Sequence, residues 1–244
     1  MPHSHDPIYL TEKIVPDKRL GRGIIEHPES NMDHPARELI QQVEMGVRNP
    51  LSKVWYRRGI FNQYQTSTCV AQAISGVLTT SPFAKSLSAD QKRLLKDPDE
   101  RYRLYRMMQG EDEWPGAEPA YYGTSTNGGM RAMRAAGYIK GWKWCFGVQD
   151  VLDTLRKWGP VAIGTWWYSS FDKPGRDGRI SISSLAYKRG GHETELHSVN
   201  EEERTVRGIN SWGNGWGDRG RFEMSFETLD QLLSDDGEAA TVIV

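Results

Sequence analysis

Asn210-Ser211-Trp212-Gly213-Asn214-Gly215-Trp216-Gly217 is the most distinctive stretch of the chain. Two indoles are interleaved with glycines, which is the chemistry of tight turns beside bulky side chains. Two other segments acquire meaning next to it. One is Gly190-Gly191-His192-Glu193. The other is Asn62-Gln63-Tyr64-Gln65-Thr66-Ser67-Thr68-Cys69, which runs into an apolar stripe, Val70, Ala73, Ile74, Val77 and Leu78, at helical spacing. A cysteine at a helix N-terminus sees the positive end of the macrodipole, which favours the thiolate. Singly, each segment has a plain structural reading: a core cysteine, a turn histidine, a Trp/Gly corner. Together they supply a nucleophile, the base it needs and a side chain to orient that base. His192 lies 123 residues and Asn210 141 residues after Cys69.

On these residues the chain resembles the papain-like cysteine peptidases, the group that includes cathepsins. The Cys–His–Asn separations approximate the ~130–150 residues usual there. Gln63 followed by Cys69 is similar to the family's Gln-x5-Cys segment, Gly191-His192 to its histidine, and Asn210-Ser211-Trp212-Gly213 to its Asn-Ser-Trp-Gly motif. Thr126-Asn127-Gly128-Gly129 resembles its Cys-Asn-Gly-Gly, and Gly159-Pro160-Val161 the segment opening its β half. The resemblance spans roughly residues 55 to 244. It implies that Cys69 is the nucleophile, His192 the acid/base and Asn210 its orienting partner. It makes Gln63, with the Cys69 amide, the oxyanion hole. It puts Trp212 over the His–Asn hydrogen bond, Trp216 on the leaving-group side, and Gly128 and Gly129 along the cleft.

Four departures from the pattern carry information. Thr66 and Thr126 stand where the family has half-cystines, which implies a disulfide-free version. Val70 replaces the tryptophan after the nucleophile and changes the packing beside it. Glu193 replaces a small apolar residue after the histidine. A carboxylate there either favours basic substrate side chains or raises the histidine pKa, unless it is an exposed loop residue.

Composition narrows the field. Of 244 residues, 31 are Lys or Arg and 32 Asp or Glu, a net charge of -1, which argues against a general grip on nucleic acid. Mean hydropathy is -0.65 and no apolar run approaches bilayer length, so no membrane partner is expected. The start, Met1-Pro2-His3-Ser4-His5-Asp6, has no signal-peptide core, and the two cysteines, Cys69 and Cys145, fit a reducing compartment. A cytoplasmic or virion-associated protein of bacterial or phage type is expected. No cofactor or metal is expected. His3 and His5 follow Pro2, which lacks the amide N–H that a copper or nickel site of that kind would deprotonate. Cys145, between Trp144 and Phe146, reads as a packing residue.

The first 50 residues hold six of the twelve prolines, four of the six histidines and one aromatic residue, Tyr9. They read as an extended arm with a short docked helix over 36–47, able to grip an assembly partner. Only 68 residues precede Cys69, fewer than the family's inhibitory prodomain requires. The catalytic domain is expected over 51–244. Residues 51–158 are mainly helical. Residues 159–244 are mainly β, with short strands at 161–167, 180–182, 196–200, 205–209, 221–224 and 241–244. The fold class is therefore α+β and papain-like, a helical half and an antiparallel β-barrel-like half with the site between them. The expected activity is thiol hydrolysis of peptide or isopeptide bonds in a polypeptide substrate. Two rivals stand beside it: a papain-fold structural subunit of a larger, virion-type assembly, and a cell-wall amidase or endopeptidase with the same triad.

Overall fold

The computed structural model describes residues 35–43, 51–57, 59–112 and 122–244. The arm before Pro35 and the end of its expected helix, with Val47, lie outside them. Within them α1 (Arg37–Val43) follows Pro35 and buries Leu39 and Ile40. It docks on α6 (Val148–Lys157) and is tied to β2 (Gly141–Trp144) by the Lys143–Glu38 ion pair at 2.6 Å.

The helices start where their caps dictate. In α2 (Cys69–Thr79) small residues, Ala71, Ala73, Ser75 and Gly76, let the helix lie close against the sheet. α3 (Ala89–Lys96) opens with a Ser88/Gln91 capping box. Asp97 ends α3 and caps α4 (Pro98–Glu111), whose first residue is a proline suited to that position. In α5 (Thr126–Ala135) the Ser125 hydroxyl accepts from the Gly128 N–H. α2, α4 and α5 share a core with Val70, Ile74, Leu104, Met108, Met130 and Met133.

The strands β1 (Ser52–Val54), β2, β3 (Val161–Tyr168), β4 (Lys188–Asn200), β5 (Thr205–Ile209), β6 (Arg221–Ser225) and β7 (Glu238–Ile243) form one antiparallel sheet. Its order is β2-β7-β3-β4-β5-β6, with β1 on β4. β2 and β6 are its two ends, so the sheet is open rather than closed into a barrel. α7 (Phe226–Ser234) packs on α6, β3 and β6. Among the described residues no helix is long and apolar enough to cross a membrane.

Two strand expectations change. Ile180–Ile182 forms no ladder; only Arg179 bridges to Glu223. β4 begins eight residues before the expected strand and takes in Gly190, Gly191, His192 and Glu193, which local sequence reads as a turn. The two glycines pair with Trp167 and Trp166 of β3, where bulky partners leave little room for more side chain. β4 is buried from Gly191 to Val199, and α2, α6, β1, β3 and β5 all pack on it.

His197 on β4 gives this burial a measurable signature. Its Nδ1 donates to the Trp55 carbonyl at 3.0 Å, and its Nε2 meets no hydrogen-bond partner among the described residues. Burial, aided by the charges of Arg221, Arg57 and Arg207, lowers its pKa from 6.5 to about 4. The folded protein therefore resists a proton that the unfolded chain takes up. Stability present above pH 6.5 is lost as pH falls toward 4. We expect about 2 kcal/mol of loss between pH 7 and pH 5 from this group. Urea unfolding across that range should show it, and His197→Gln should remove it. An unchanged slope in the variant would assign the loss elsewhere.

Candidate active site

Cys69 is the first residue of α2 and 3% exposed. The backbone N–H groups of Glu193, Val70 and Cys69 itself act to lower its thiol pKa. The largest of these pulls comes from Glu193 of β4, and the two N–H groups at the helix N-terminus add to it. Burial outweighs that pull and, with the charge of Glu193, pushes the thiol up to about 12. The sequence shows the dipole but not the depth of burial. Cys145 is buried too and is likewise pushed up to about 12, its sulfur 3.5 Å from the Thr154 hydroxyl. Both cysteines are free thiols.

His192 immediately precedes Glu193, whose backbone amide acts on the Cys69 thiol, and β4, which carries both, packs against α2. The His192 Nε2 lies 2.8 Å from Asn210 Oδ1. Asn210 follows β5, is 1% exposed, and its Oδ1 also accepts from the Ser211 N–H at 2.7 Å. An amide oxygen accepts only, so Nε2 carries the ring proton and Nδ1 is the basic nitrogen. The Trp212 ring centroid lies 5.1 Å from that of His192. Trp216 packs 5.8 Å from Trp212 and donates its indole N–H to the Asp172 carbonyl at 3.1 Å. Gly213, at φ +75, takes the chain round the turn, and a Cβ there would stand 2.8 Å from Asn62 Nδ2.

Gln63 joins the loop before α2 to the Asn-Ser-Trp-Gly segment. Its Oε1 accepts from the Ser211 hydroxyl at 2.6 Å, its Nε2 donates to the Thr66 carbonyl at 2.7 Å, and its backbone N–H donates to the Ser211 carbonyl at 2.8 Å. Thr66, in the half-cystine position, is held by a hydroxyl contact of 2.9 Å to Thr68, which accepts from Gln72.

Gly128 and Gly129 lie buried in the first turn of α5. Their N–H groups donate to the Ser125 hydroxyl and carbonyl, each at 3.0 Å. Glycine here serves helix packing: a Cβ would stand 3.0 Å from the Met108 carbonyl at Gly128 and 2.5 Å from Ile74 at Gly129. Glu193 is 3% exposed, so it is not the surface loop residue of the plainer reading. Its Oε2 accepts from the Thr126 hydroxyl at 2.8 Å. Among the described residues no group of three or more His, Cys, Asp or Glu is placed to hold a metal ion.

Trp167 is the neighbour that sequence reasoning missed. Its ring packs edge-on against His192 at 4.7 Å and against Trp212 at 4.9 Å, and its indole N–H donates to Asp172 Oδ1 at 3.1 Å. The available signal was alternation along β3, which puts Thr165 and Trp167 on one face. The register that sets Thr165 opposite His192 is not a local property.

Comparison with solved structures places this architecture. Xylellain, a cysteine protease from Xylella fastidiosa, superposes with a TM-score of 0.68 over 95% of this chain and 99% of its own, at 16% identity. The chain has a papain-like fold. Digestive procathepsin L2 proteinase from the Tenebrio molitor larval midgut matches the papain-like fold over 93% of this chain and 79% of its own (TM-score 0.60, 16% identity). Procathepsin B S9 from Trypanosoma congolense matches over 92% and 87% (TM-score 0.51, 14% identity). No family profile matches the sequence. No curated protein matches it significantly. The papain-like fold is thus reached here by a sequence far from those of its structural neighbours.

Proposed function

We propose that this chain is a thiol hydrolase that cleaves peptide bonds through Cys69, His192 and Asn210. The observation that carries the reading is the Asn210 Oδ1–His192 Nε2 contact of 2.8 Å, on a strand whose next residue, Glu193, acts through its amide on the Cys69 thiol. In this reading the Cys69 proton moves to His192 Nδ1 as the sulfur attacks the substrate carbonyl. A thiol held near 12 ionises at neutral pH only through such a transfer. The oxyanion forms next to the Cys69 amide and the Gln63 side chain. His192 then protonates the leaving amine, leaving a thioester, and removes a proton from the water that hydrolyses it. Asn210 holds the ring, and the indoles of Trp212 and Trp167 keep water from the His–Asn bond.

The burial of Cys69 is the observation that favours the rival, a papain-fold subunit without turnover. An epoxysuccinyl probe on the native protein separates the two. Saturable labelling of Cys69 over Cys145, with hydrolysis of casein-derived peptides, supports the hydrolase. Failure of both supports the subunit. Hydrolysis restricted to cell-wall stem peptides identifies the amidase variant of the same chemistry.

The roles of His192 and Asn210 are ranked by substitution. His192→Ala removes the proton carrier and should cost about 10²–10⁴-fold or more in kcat. Asn210→Ala removes only orientation and should cost at least about tenfold less than that. Steady-state rates of variants with wild-type melting curves read the difference. Equal losses would mean that the roles are misassigned.

A further inference from the structure

The Asn210 contact fixes one atom of the His192 ring, and such a bond sets a pivot rather than a plane. Packing sets the plane. Trp167 stands 4.7 Å from His192 at an interplanar angle of 79°, and Trp212 stands 5.1 Å away at 42°. The placement of Trp167 therefore bears directly on the placement of the imidazole.

β3 by itself holds that indole poorly. Trp167 pairs with Gly190, and the next residue, Tyr168, pairs with Lys188, so the register shifts at this point and skips Arg189. Such irregularities re-aim side chains, and Gly190 offers Trp167 no side chain across the ladder. Asp172 supplies the hold. Its Oδ1 accepts from the Trp167 indole N–H at 3.1 Å. Its Oδ2 pairs with the guanidinium of Arg189, the skipped residue, three positions before His192 on β4. Its carbonyl accepts from the Trp216 indole at 3.1 Å, and the Trp216 ring lies 5.8 Å from that of Trp167. Asp172 is itself anchored. It ends the short 3₁₀ turn Ser169–Phe171, its N–H donates to the Ser169 carbonyl at 3.3 Å, and Phe171 packs on Trp167 at 5.3 Å. The Asp172 and Arg189 side chains are 21% and 16% exposed, which shields the pair from much of the solvent. One residue thus ties two indoles of the wall to the strand that carries His192.

We propose that Asp172 is a positioning residue for the reaction, acting through Trp167 to fix the plane of the His192 imidazole for proton transfer from Cys69. The proposal rests on the hydrolase reading. Asp172 exchanges no proton in this role; it acts by geometry. Proton transfer needs donor and acceptor in line, and a misplacement of about 1 Å from a distant change can cost about 100-fold. Ground-state binding of a peptide does not depend on that alignment, so the effect belongs to kcat rather than KM.

The full chain is compared with Asp172→Ala, Asp172→Asn, Trp167→Phe and the Asp172→Ala/Trp167→Phe double variant. Turnover of a fluorogenic peptide is read beside the rate at which iodoacetamide alkylates Cys69, followed by peptide mass. Asp172→Ala should lower kcat at least about tenfold with KM within about twofold of wild type, and should slow alkylation of Cys69 in parallel. Asp172→Asn keeps an acceptor oxygen for the indole and should restore kcat to within about threefold of wild type. Trp167→Phe keeps a ring, loses the N–H donor and should also lower kcat at least about tenfold. The double variant should fall no more than about twofold below the worse single variant, because both changes cut one link. Additive losses, a loss confined to KM, or an asparagine variant no better than alanine overturns the proposal. If Asp172→Ala does not fold, wild-type kcat in a folded Trp167→Phe variant overturns it. Unaltered kcat in every folded variant removes this proposal and leaves the hydrolase reading intact. No cleavage by the wild-type protein, with no labelling of Cys69, removes both.

Discussion

Cys69→Ala should lower peptide hydrolysis by about 10⁴- to 10⁶-fold, the scale on which nucleophile removal acts in a cysteine or serine hydrolase. The fold should survive the change. Cys69 opens α2, where alanine is the best helix former, and the helix continues with ten more residues that pack without it. Cys69 is 3% exposed and belongs to the same core as Val70, Ala71 and Ile74, so loss of its sulfur leaves a small cavity rather than an unpaired charge. Progress curves with a fluorogenic peptide, read beside a thermal melt, decide the matter. Turnover within about tenfold of wild type in a folded variant would end the nucleophile assignment.

The largest effect on stability is expected at the ion pair behind the site. Arg57 Nη1 donates to Glu195 Oε2 at 2.7 Å, and the two side chains are 3% and 1% exposed. Glu195 Oε1 accepts from the Thr80 hydroxyl at 2.5 Å. Burial pushes the Glu195 carboxyl up and the Arg57 guanidinium down, and the attraction between them opposes both shifts. Arg57 also covers the Phe61 ring at 4.5 Å, with Arg101 on that ring at 4.0 Å. Arg57→Met strands a carboxylate in the interior and should cost about 3–5 kcal/mol. Arg57→Met with Glu195→Leu removes both charges and should recover most of that loss, since the pair itself has little net worth against an apolar replacement. Urea unfolding of the two single variants and the double variant measures the coupling. Single losses below about 1 kcal/mol would show that water reaches the pair. Glu195 lies three residues from His192 on β4, and Arg57 leads into the Gln63 loop. Partial losses in the single variants should therefore also appear as lower turnover before global unfolding.

Much of this architecture can be read along the chain because its signals are local. The Val70–Leu78 stripe repeats at helical spacing, and Pro98 beside Asp97 separates α3 from α4. The Val161–Trp167 run stands between a helix end and a polar turn. The order of Cys69, His192 and Asn210 is equally visible, since order and identity need no coordinates. β2 was missed because Gly141-Trp142-Lys143-Trp144 is four residues long and gains its stability from pairing with β7, nearly a hundred residues later. Gly190–Glu193 reads as a turn because two glycines disfavour a strand alone. In the sheet, Trp166 and Trp167 opposite them supply the packing that the glycines lack.

The sequence by itself determined the helical stripes and caps, the residue types available for the chemistry and the absence of half-cystines at positions 66 and 126. Each depends on neighbours within a few residues or on identity alone. Only the tertiary structure decided that His192 Nε2 meets Asn210, that Trp167 walls the imidazole and that Asp172 joins the Trp167 indole to Arg189 of β4. It also decided that burial outweighs the helix dipole at Cys69. Those four outcomes depend on strand register, because a slip of one residue turns every side chain to the opposite face, and on desolvation, which is set by what packs above a residue rather than by what precedes it in the chain.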